Sequence, residues 1–373
     1  MRSVKDNKFT TMEAAMAYLN KKRKDMPAIG FANKLNYLKS RKQSSGLLSL
    51  DIALGGGYAT NQFVFFIGFP ASGKTYLCLK SIAQAQRSCR HCCLPLDVCE
   101  CGKAEPFRCF YIRLEPLDLD WAERIGVDLN EPNGLIVYTP DCTENAVETV
   151  CGMIENNLID LFVWDSLAMG STVKEQSENV GDCQPGQSAM FYNKMFRRLN
   201  MAFLNTPSHK IGFFINQWRV QFGGFRAFNV APGGKAQGFV STQTIEMNNP
   251  KFTKNKKFAN ISFVVSKNKV GVPKREGGFR IAETTDDGLF VGQCIEKPDY
   301  FGYIDSLGLL YKKADSKKEL WCVDGCEQIF SSKKEAETHI VNTPQLYRIL
   351  RDKIVQTAGN TAGSIGDGDE LEE

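Results

Sequence analysis

The chain has 373 residues, 43% hydrophobic and 24% charged, with 13 cysteines and a formal net charge of +4. That balance is ordinary for a folded protein with one large domain and something smaller beside it. No stretch approaches the ~18 consecutive apolar residues of a membrane span, so a membrane partner is not expected, and the start MRSVKDNKFTTME has no apolar signal core, which predicts a cytoplasmic protein.

In chain order, Thr10 followed by Glu13 reads as a capping box. TMEAAMAYLNKKRK then sets Met12, Met16 and Leu19 on one face of a short amphipathic helix. Residues 1–40 are read as this helix and a basic linker, and the main domain opens near residue 41 with SSGLLSLDIALGGG. From residue 62, QFVFFIG, YLCLKSIAQAQ, RCFYIRLE, GLIVYT, AVETVCGMIENN, LFVWD, MFYNKMFRRLNMAFL and IGFFINQ alternate apolar runs with helical patterns. Such an alternation predicts an α/β fold, a parallel sheet covered on both faces. QTIEM, ISFVVSKNK and FRIA predict further strands on shorter turns, ending the domain near residue 295. Residues 296–356 predict a small α+β C-terminal domain, in which Cys322, Cys326 and His339 lack a fourth ligand and Phe330 and Ile340 suit a core.

Residues 357–373 are low in complexity and predict a disordered acidic tail. Its five acids, Asp367, Asp369, Glu370, Glu372 and Glu373, are not matched by any base after Lys353. Without them the rest of the chain stands at +9, against +4 for the whole. A basic body suggests a polyanionic partner, and the tail is either a competitor for that surface or a solubilising end.

GFPASGKT (Gly68, Phe69, Pro70, Ala71, Ser72, Gly73, Lys74 and Thr75) fits G-x-x-x-x-G-K-[ST] between a predicted strand and a predicted helix. The glycines turn backbone N–H groups toward a phosphate at a helix N-terminus, Lys74 reaches the β- and γ-phosphates, and Thr75 is a ligand for Mg²⁺. Asp165, ending LFVWD, is the candidate second metal ligand. Glu115, ending RCFYIRLE, is placed at the C-terminal edge of the sheet, where a carboxylate can orient water. The stretch NQWRVQFGGFRAFNVAPGGKAQGF, residues 216–239, interleaves aromatics and arginines on a glycine-rich loop, a composition that stacks bases and neutralises phosphates.

Together these residues resemble the RecA family of bacterial and phage recombinases. The resemblance runs from SSGLLSLDIALGGGY through GFPASGKTYLCL, IRLEPLDLDWAERIGVD, LFVWDSLA, FFINQWR and APGGKAQGFVS to VVSKNKVGVP, most of residues 43–285. It implies a RecA-like P-loop ATPase core, with the N-terminal helix serving oligomerisation. It also implies a DNA-dependent ATPase that uses ATP and Mg²⁺, binds single-stranded and homologous duplex DNA, and forms a helical homo-oligomer for strand exchange. Gln217 would sense the γ-phosphate, and Lys267 and Lys269 would reach ATP across a subunit interface. Asp118 and Trp121 match the acid and aromatic at adenine, with one residue missing just before them. A first DNA-binding loop would be STVKEQSENVGDCQPGQSAM, with Arg197 on the following helix and Met190 where the family has an arginine. The second would be residues 218–239. There Arg219 and Arg226 are candidates for phosphates and Phe222, Phe225 and Phe228 for bases, with Gly233, Gly234 and Lys235 near its end. The alternative on the same core is a hexameric helicase or DNA-translocating motor, which closes into rings where a recombinase forms open helices. A third reading, a non-enzymatic accessory, sits poorly with the presence of Glu115.

The family pattern has no counterpart to SCRHCCLPLDVCECGK, an insert at residues 88–103. Cys89, Cys92, Cys99 and Cys101 give C-x₂-C-x₆-C-x-C, a spacing that can surround a tetrahedral structural Zn²⁺, with Cys93 and His91 as spare ligands.

Overall fold

The computed structural model describes residues 11–21, 29–35, 39–177, 187–206, 208–223, 226–232, 234, 236–285, 289–313 and 319–360. Helix α1 (Met12–Asn20) is followed by a two-residue pairing of β1 (Lys42–Gln43) with β2 (Tyr58–Ala59) around α2 (Leu48–Leu54). Then β3 (Gln62–Gly68), α3 (Lys74–Ala85), β4 (Cys109–Arg113), α4 (Leu119–Ile125), β5 (Ile136–Tyr138), α5 (Thr143–Glu155) and β6 (Leu161–Asp165) alternate. Short α6 (Val173–Ser177) and long α7 (Gln187–Leu204) precede β7 (Ile211–Gln217). A hairpin of β8 (Arg219–Gly223) and β9 (Arg226–Val230) and short α8 (Ala236–Val240) lead to β10 (Gln243–Met247), β11 (Lys251–Phe252), β12 (Phe258–Asn268), β13 (Arg275–Ala282) and β14 (Cys294–Ile295). The chain continues through α9 (Lys297–Ser306), β15 (Leu310–Lys312), β16 (Trp321–Val323), β17 (Ile329–Phe330), α10 (Lys333–Asn342) and α11 (Pro344–Asn360).

The main sheet has the order β14-β13-β12-β10-β3-β7-β6-β4-β5, with β11 on β12. The expected parallel sheet is realised from β10 to β5. Beyond β10 the sheet turns antiparallel, because short turns, not helical crossovers, join β10 through β14. Along β3, Val64 and Phe66 enter one apolar layer with Leu77 and Ile82 of α3. Phe63, Phe65 and Ile67 enter the opposite layer with Val150 of α5 and Leu199 of α7. This two-sided burial is why the strand reads as an unbroken apolar run.

At the N-terminal ends of the strands lies a buried charge cluster. Asp160, just before β6, accepts from Arg108 Nε at 2.9 Å, Arg90 Nε at 3.2 Å and Lys210 Nζ at 3.1 Å, and its side chain is wholly buried. Burial alone would raise its pKa, but Arg108, Lys210 and Arg90 together hold it below the ordinary carboxylate value. Arg90 belongs to the cysteine-rich insert, so the insert is pinned to the sheet through it.

The C-terminal unit packs Tyr300, Leu350 and Ile354 with Leu48 and Ile52 of α2. Arg351 bonds Asp51 at 2.8 Å, and Arg348 bonds Asp97 of the insert at 2.6 Å. Phe330 and Ile340 are core residues there, as expected. Cys326 Sγ lies 3.9 Å from His339 Nε2.

Two sequence boundaries move. The cap of α1 is Thr11, whose Oγ1 accepts from the Ala14 N–H, while Thr10 lies outside the described residues. Helix α11 runs to Asn360, four residues into the segment assigned to the tail. The remaining tail residues, 361–373, lie outside the described residues.

Asp160→Ala strips the shared partner from three cations and should cost about 3–5 kcal/mol in urea unfolding, as breaking a buried ion pair does. The contribution of Asp160 should be complete above about pH 4 and be lost as acid protonates it in the folded state at lower pH still.

Candidate nucleotide and nucleic-acid site

Parallel register sets the site. Gly68 on β3 faces Gln217 on β7, and Arg113 on β4 faces Asp165 on β6. All four strands therefore release their C-terminal ends at one edge, where open α/β sheets bind ligands. Glu115 arrives there two residues beyond β4, held by the Leu114 and Glu115 N–H groups donating to the Asp165 carbonyl at 2.8 and 3.1 Å.

The loop from Gly68 to Thr75 turns through left-handed Ala71 (φ +59°) and Gly73 (φ +87°). The left-handed φ favours glycine at position 73, and a Cβ there would also crowd Ile261 Cδ1 at 2.9 Å. Lys74 folds back into the loop and donates to the carbonyls of Gly68 at 3.1 Å and Phe69 at 2.6 Å and to Ser72 Oγ at 3.2 Å. Burial lowers its pKa, while Asp165 and Glu115 oppose that. The loop thus opens a helix with its N–H groups and a buried ammonium at one point, a cradle for an anion.

Asp165 is 3% exposed. Its Oδ2 accepts from Thr75 Oγ1 at 3.1 Å and from the Tyr111 hydroxyl at 2.5 Å. Its Oδ1 is buried and has no hydrogen-bond partner among the described residues. Burial pushes the carboxyl up to about 6, and Glu115 adds to the rise while the two hydroxyls oppose it. A buried, orphaned carboxylate oxygen beside a threonine hydroxyl is a donor set that suits a hard dication. Glu115 Oε1 accepts from Gln217 Nε2 at 3.1 Å and from Ser166 Oγ. No partner touches Oε2 among the described residues.

Trp218, one residue beyond Gln217, donates its N–H to the Gly68 carbonyl at 3.1 Å. The stretch that follows forms the β8–β9 hairpin, outside the main sheet, and not the irregular loop the glycines suggested. Arg219 opens the hairpin and is exposed, and Arg226 faces Gly223 across it. Phe222 and Phe228 lie on its two strands, while Phe225, Gly233 and Lys235 lie outside the described residues, as do residues 178–186 of the first loop. Gly234 has φ +76°, and a Cβ there would stand 3.1 Å from Cβ of Ala189 on α7. Arg197 is exposed on α7 and lines a cleft of about 480 Å³ with Asn193, Phe239 and Lys269.

Lys267 and Lys269 bond the carbonyls of Gly238 and Phe239, the latter at 3.0 Å. Lys267 faces Thr244 near the start of β10, and the Lys269 N–H meets the Thr242 carbonyl one strand-step away. Thr242 is level with Phe63, five residues back from Gly68, roughly 16 Å at strand rise. Lys267, level with Phe65 through Thr244, stands three residues back from Gly68, roughly 10 Å at strand rise and two strands over, so neither lysine lies beside the phosphate loop of its own chain. Asp118 caps α4 by accepting from the Trp121 N–H at 3.1 Å. The half-buried Trp121 ring packs against Gly292 and lies 6.4 Å from Tyr76, the residue after Thr75.

In the insert, the sulfurs of Cys89, Cys92, Cys99 and Cys101 all lie within 4.8 Å of one another. The closest pairs are 3.2, 3.4 and 3.6 Å apart, near the ~3.8 Å edge of a tetrahedron with 2.3 Å zinc–sulfur bonds. Both spare ligands are engaged elsewhere. His91 Nε2 contacts Glu105 at 3.2 Å, and Cys93 is buried in the core, its thiol pushed up to about 12 by burial.

Sequence reading missed Tyr111 and the bond of Ser166 to Glu115. The signal for Tyr111 was a phenol inside an apolar strand. For Ser166 it was only adjacency to Asp165.

A family model described as RecA N-terminal domain matches residues 10–286. The chain belongs to the RecA family. It is 29% identical over 334 residues to Protein RecA of Paracoccus denitrificans, covering 88% of this chain and 84% of that one. To Protein RecA of Corynebacterium diphtheriae it is 30% identical over 319 residues, covering 83% and 76%. Membership accords with the mixed α/β architecture and central parallel strands. No helix among the described residues is long and apolar enough to cross a membrane.

Proposed function

We propose that this RecA-family chain is a cytoplasmic, DNA-dependent ATPase that assembles as a helical filament on single-stranded DNA and promotes homologous pairing and strand exchange. The observation that carries the reading is the separation of Lys267 and Lys269 from their own phosphate loop. Two cations set back along the sheet from that loop, one level with Phe65 and one with Phe63, would serve a nucleotide if a neighbouring copy brings its loop to them. Helix α1 and the residue 1–40 segment are the proposed grip on that neighbour.

ATP would lie on the N–H groups of residues 68–75, with Lys74 at its phosphates, and Thr75 and Asp165 Oδ1 would hold Mg²⁺. The cation supplies charge neutralisation at the phosphates and offsets the burial penalty on Asp165. Asp118 and Trp121 are assigned to the adenine side. Glu115 has one oxygen fixed by Gln217 and Ser166, which leaves Oε2 to orient water and take its proton. Gln217 connects that carboxylate to the hairpin, the proposed second DNA-binding element. Arg219, Arg226 and Arg197 serve phosphates there, and Phe222, Phe225 and Phe228 serve bases, with Gly233, Gly234 and Lys235 at its base. A stacked base is worth about 1–3 kcal/mol. The four clustered cysteines are assigned a structural Zn²⁺, since a closed thiolate set leaves no open position for catalysis.

Electron microscopy with single-stranded DNA tests the assembly. Glu115→Gln with ATP should give open helical filaments like those of the parent chain with a non-hydrolysable analogue, while its turnover falls at least ~100-fold. Closed rings would replace the recombinase reading with that of a motor, and normal turnover would move the base elsewhere. Elemental analysis should find one zinc per chain, lost in Cys92→Ser; less than about half an equivalent contradicts the metal assignment.

A further inference from the structure

Strand β4 needs only apolar surface on both faces, yet CFYIR places a phenol at its centre. Tyr111 is 1% exposed, with its ring in the layer shared with α3. A buried O–H must find an acceptor, and Tyr111 finds the Oδ2 of Asp165 at 2.5 Å. Register explains the reach. Arg113 faces Asp165 directly, so Tyr111 is its diagonal neighbour, two residues back on the adjacent strand.

The consequence is a carboxylate with one fixed oxygen and one offered oxygen. Oδ2 is held by the phenol and by Thr75, while Oδ1 is buried and without a partner among the described residues. The terminal torsion of an aspartate is broad and roughly two-fold, so burial alone does not choose which oxygen points where. Thr75 is itself assigned to the cation. The phenol is the donor whose sole task is the carboxylate.

We infer that Tyr111 is a positioning residue for the cation site: its hydroxyl fixes the Asp165 carboxylate so that Oδ1 is presented to the divalent cation that accompanies the nucleotide. This rests on the Mg²⁺–ATP reading of the site given above. Tyr111 does not touch the nucleotide. Its effect is confined to how much Mg²⁺ the site requires.

The experiment is a titration of the full-length chain with a fluorescent ATP analogue, in EDTA and across a range of Mg²⁺, with bound Mn²⁺ read in parallel by electron paramagnetic resonance. Tyr111→Phe keeps the ring and removes only the hydroxyl. It should raise half-saturating Mg²⁺ about tenfold, the scale of one hydrogen bond to a charged group, and leave analogue binding in EDTA unchanged. In an Asp165→Asn background, which removes the charge the phenol serves, the same change should shift nothing further. Three results would overturn the inference: an unaltered Mg²⁺ dependence, an equal loss with and without Mg²⁺, or tighter cation binding, which would make the phenol a competitor of the ion. Failure of the parent chain to bind the analogue at any Mg²⁺ concentration would instead remove the nucleotide reading beneath it.

Discussion

Gly212 on β7 sits between two phenylalanines, Phe63 on β3 and Phe162 on β6, each its register partner on a neighbouring strand. A Cβ there would stand 2.6 Å from the Phe162 ring and 2.7 Å from that of Phe63. The strands around it are apolar on both faces, so burial discriminates weakly between one register and the next. The glycine removes that ambiguity, because it is the place in β7 where two rings can cross the sheet. Once Gly212 is opposite Phe63, Gln217 is opposite Gly68, and the phosphate loop and the glutamine end at the same level. The chemistry at one edge of the sheet is fixed by packing five residues below it.

From that edge the structure is connected in two directions. Ser166 and Gln217 both bond one carboxylate oxygen of Glu115, and the next peptide, that of Trp218, bonds the first carbonyl of the phosphate loop, that of Gly68. The hairpin begins one residue later. A continuous run of hydrogen bonds and peptides thus joins Glu115 and the loop to the base of the hairpin. In the other direction, α3 carries the phosphate loop toward the cysteine-rich insert. Arg90 anchors that insert to Asp160 below the sheet, and Asp97 joins it to Arg348 of α11.

Much of this was legible in the residues. The alternation of apolar runs and helical patterns gave the parallel strands, and GFPASGKT, LFVWD and RCFYIRLE marked three of the strand ends that meet. The cysteine spacing anticipated which four sulfurs converge, though only the structure sends His91 to Glu105 and Cys93 into the core. What stayed hidden depended on contacts between distant residues. Tyr111 and Asp165 are 54 positions apart, and nothing in CFYIR says which carboxylate its phenol will reach. The hairpin read as a loop because a two-stranded ribbon outside the main sheet need not alternate apolar with polar residues. The lysines after ISFVV carry no mark of how far back along the sheet they stand, because direction follows from the antiparallel turn at β12. Asn360 ends a helix that low-complexity composition had stopped short of.

The proposed coupling of nucleotide to DNA runs from Glu115 through Gln217 into the hairpin, and its most direct test is the affinity for single-stranded DNA with a non-hydrolysable ATP analogue and with ADP, in the parent chain and in Gln217→Ala. The parent should bind DNA at least tenfold more tightly with the analogue, about 1.4 kcal/mol of coupling, and the substitution should bring that ratio close to one while leaving analogue binding intact. An undiminished ratio in Gln217→Ala would contradict the path and leave the nucleotide site and the hairpin as separate features of the same sheet edge.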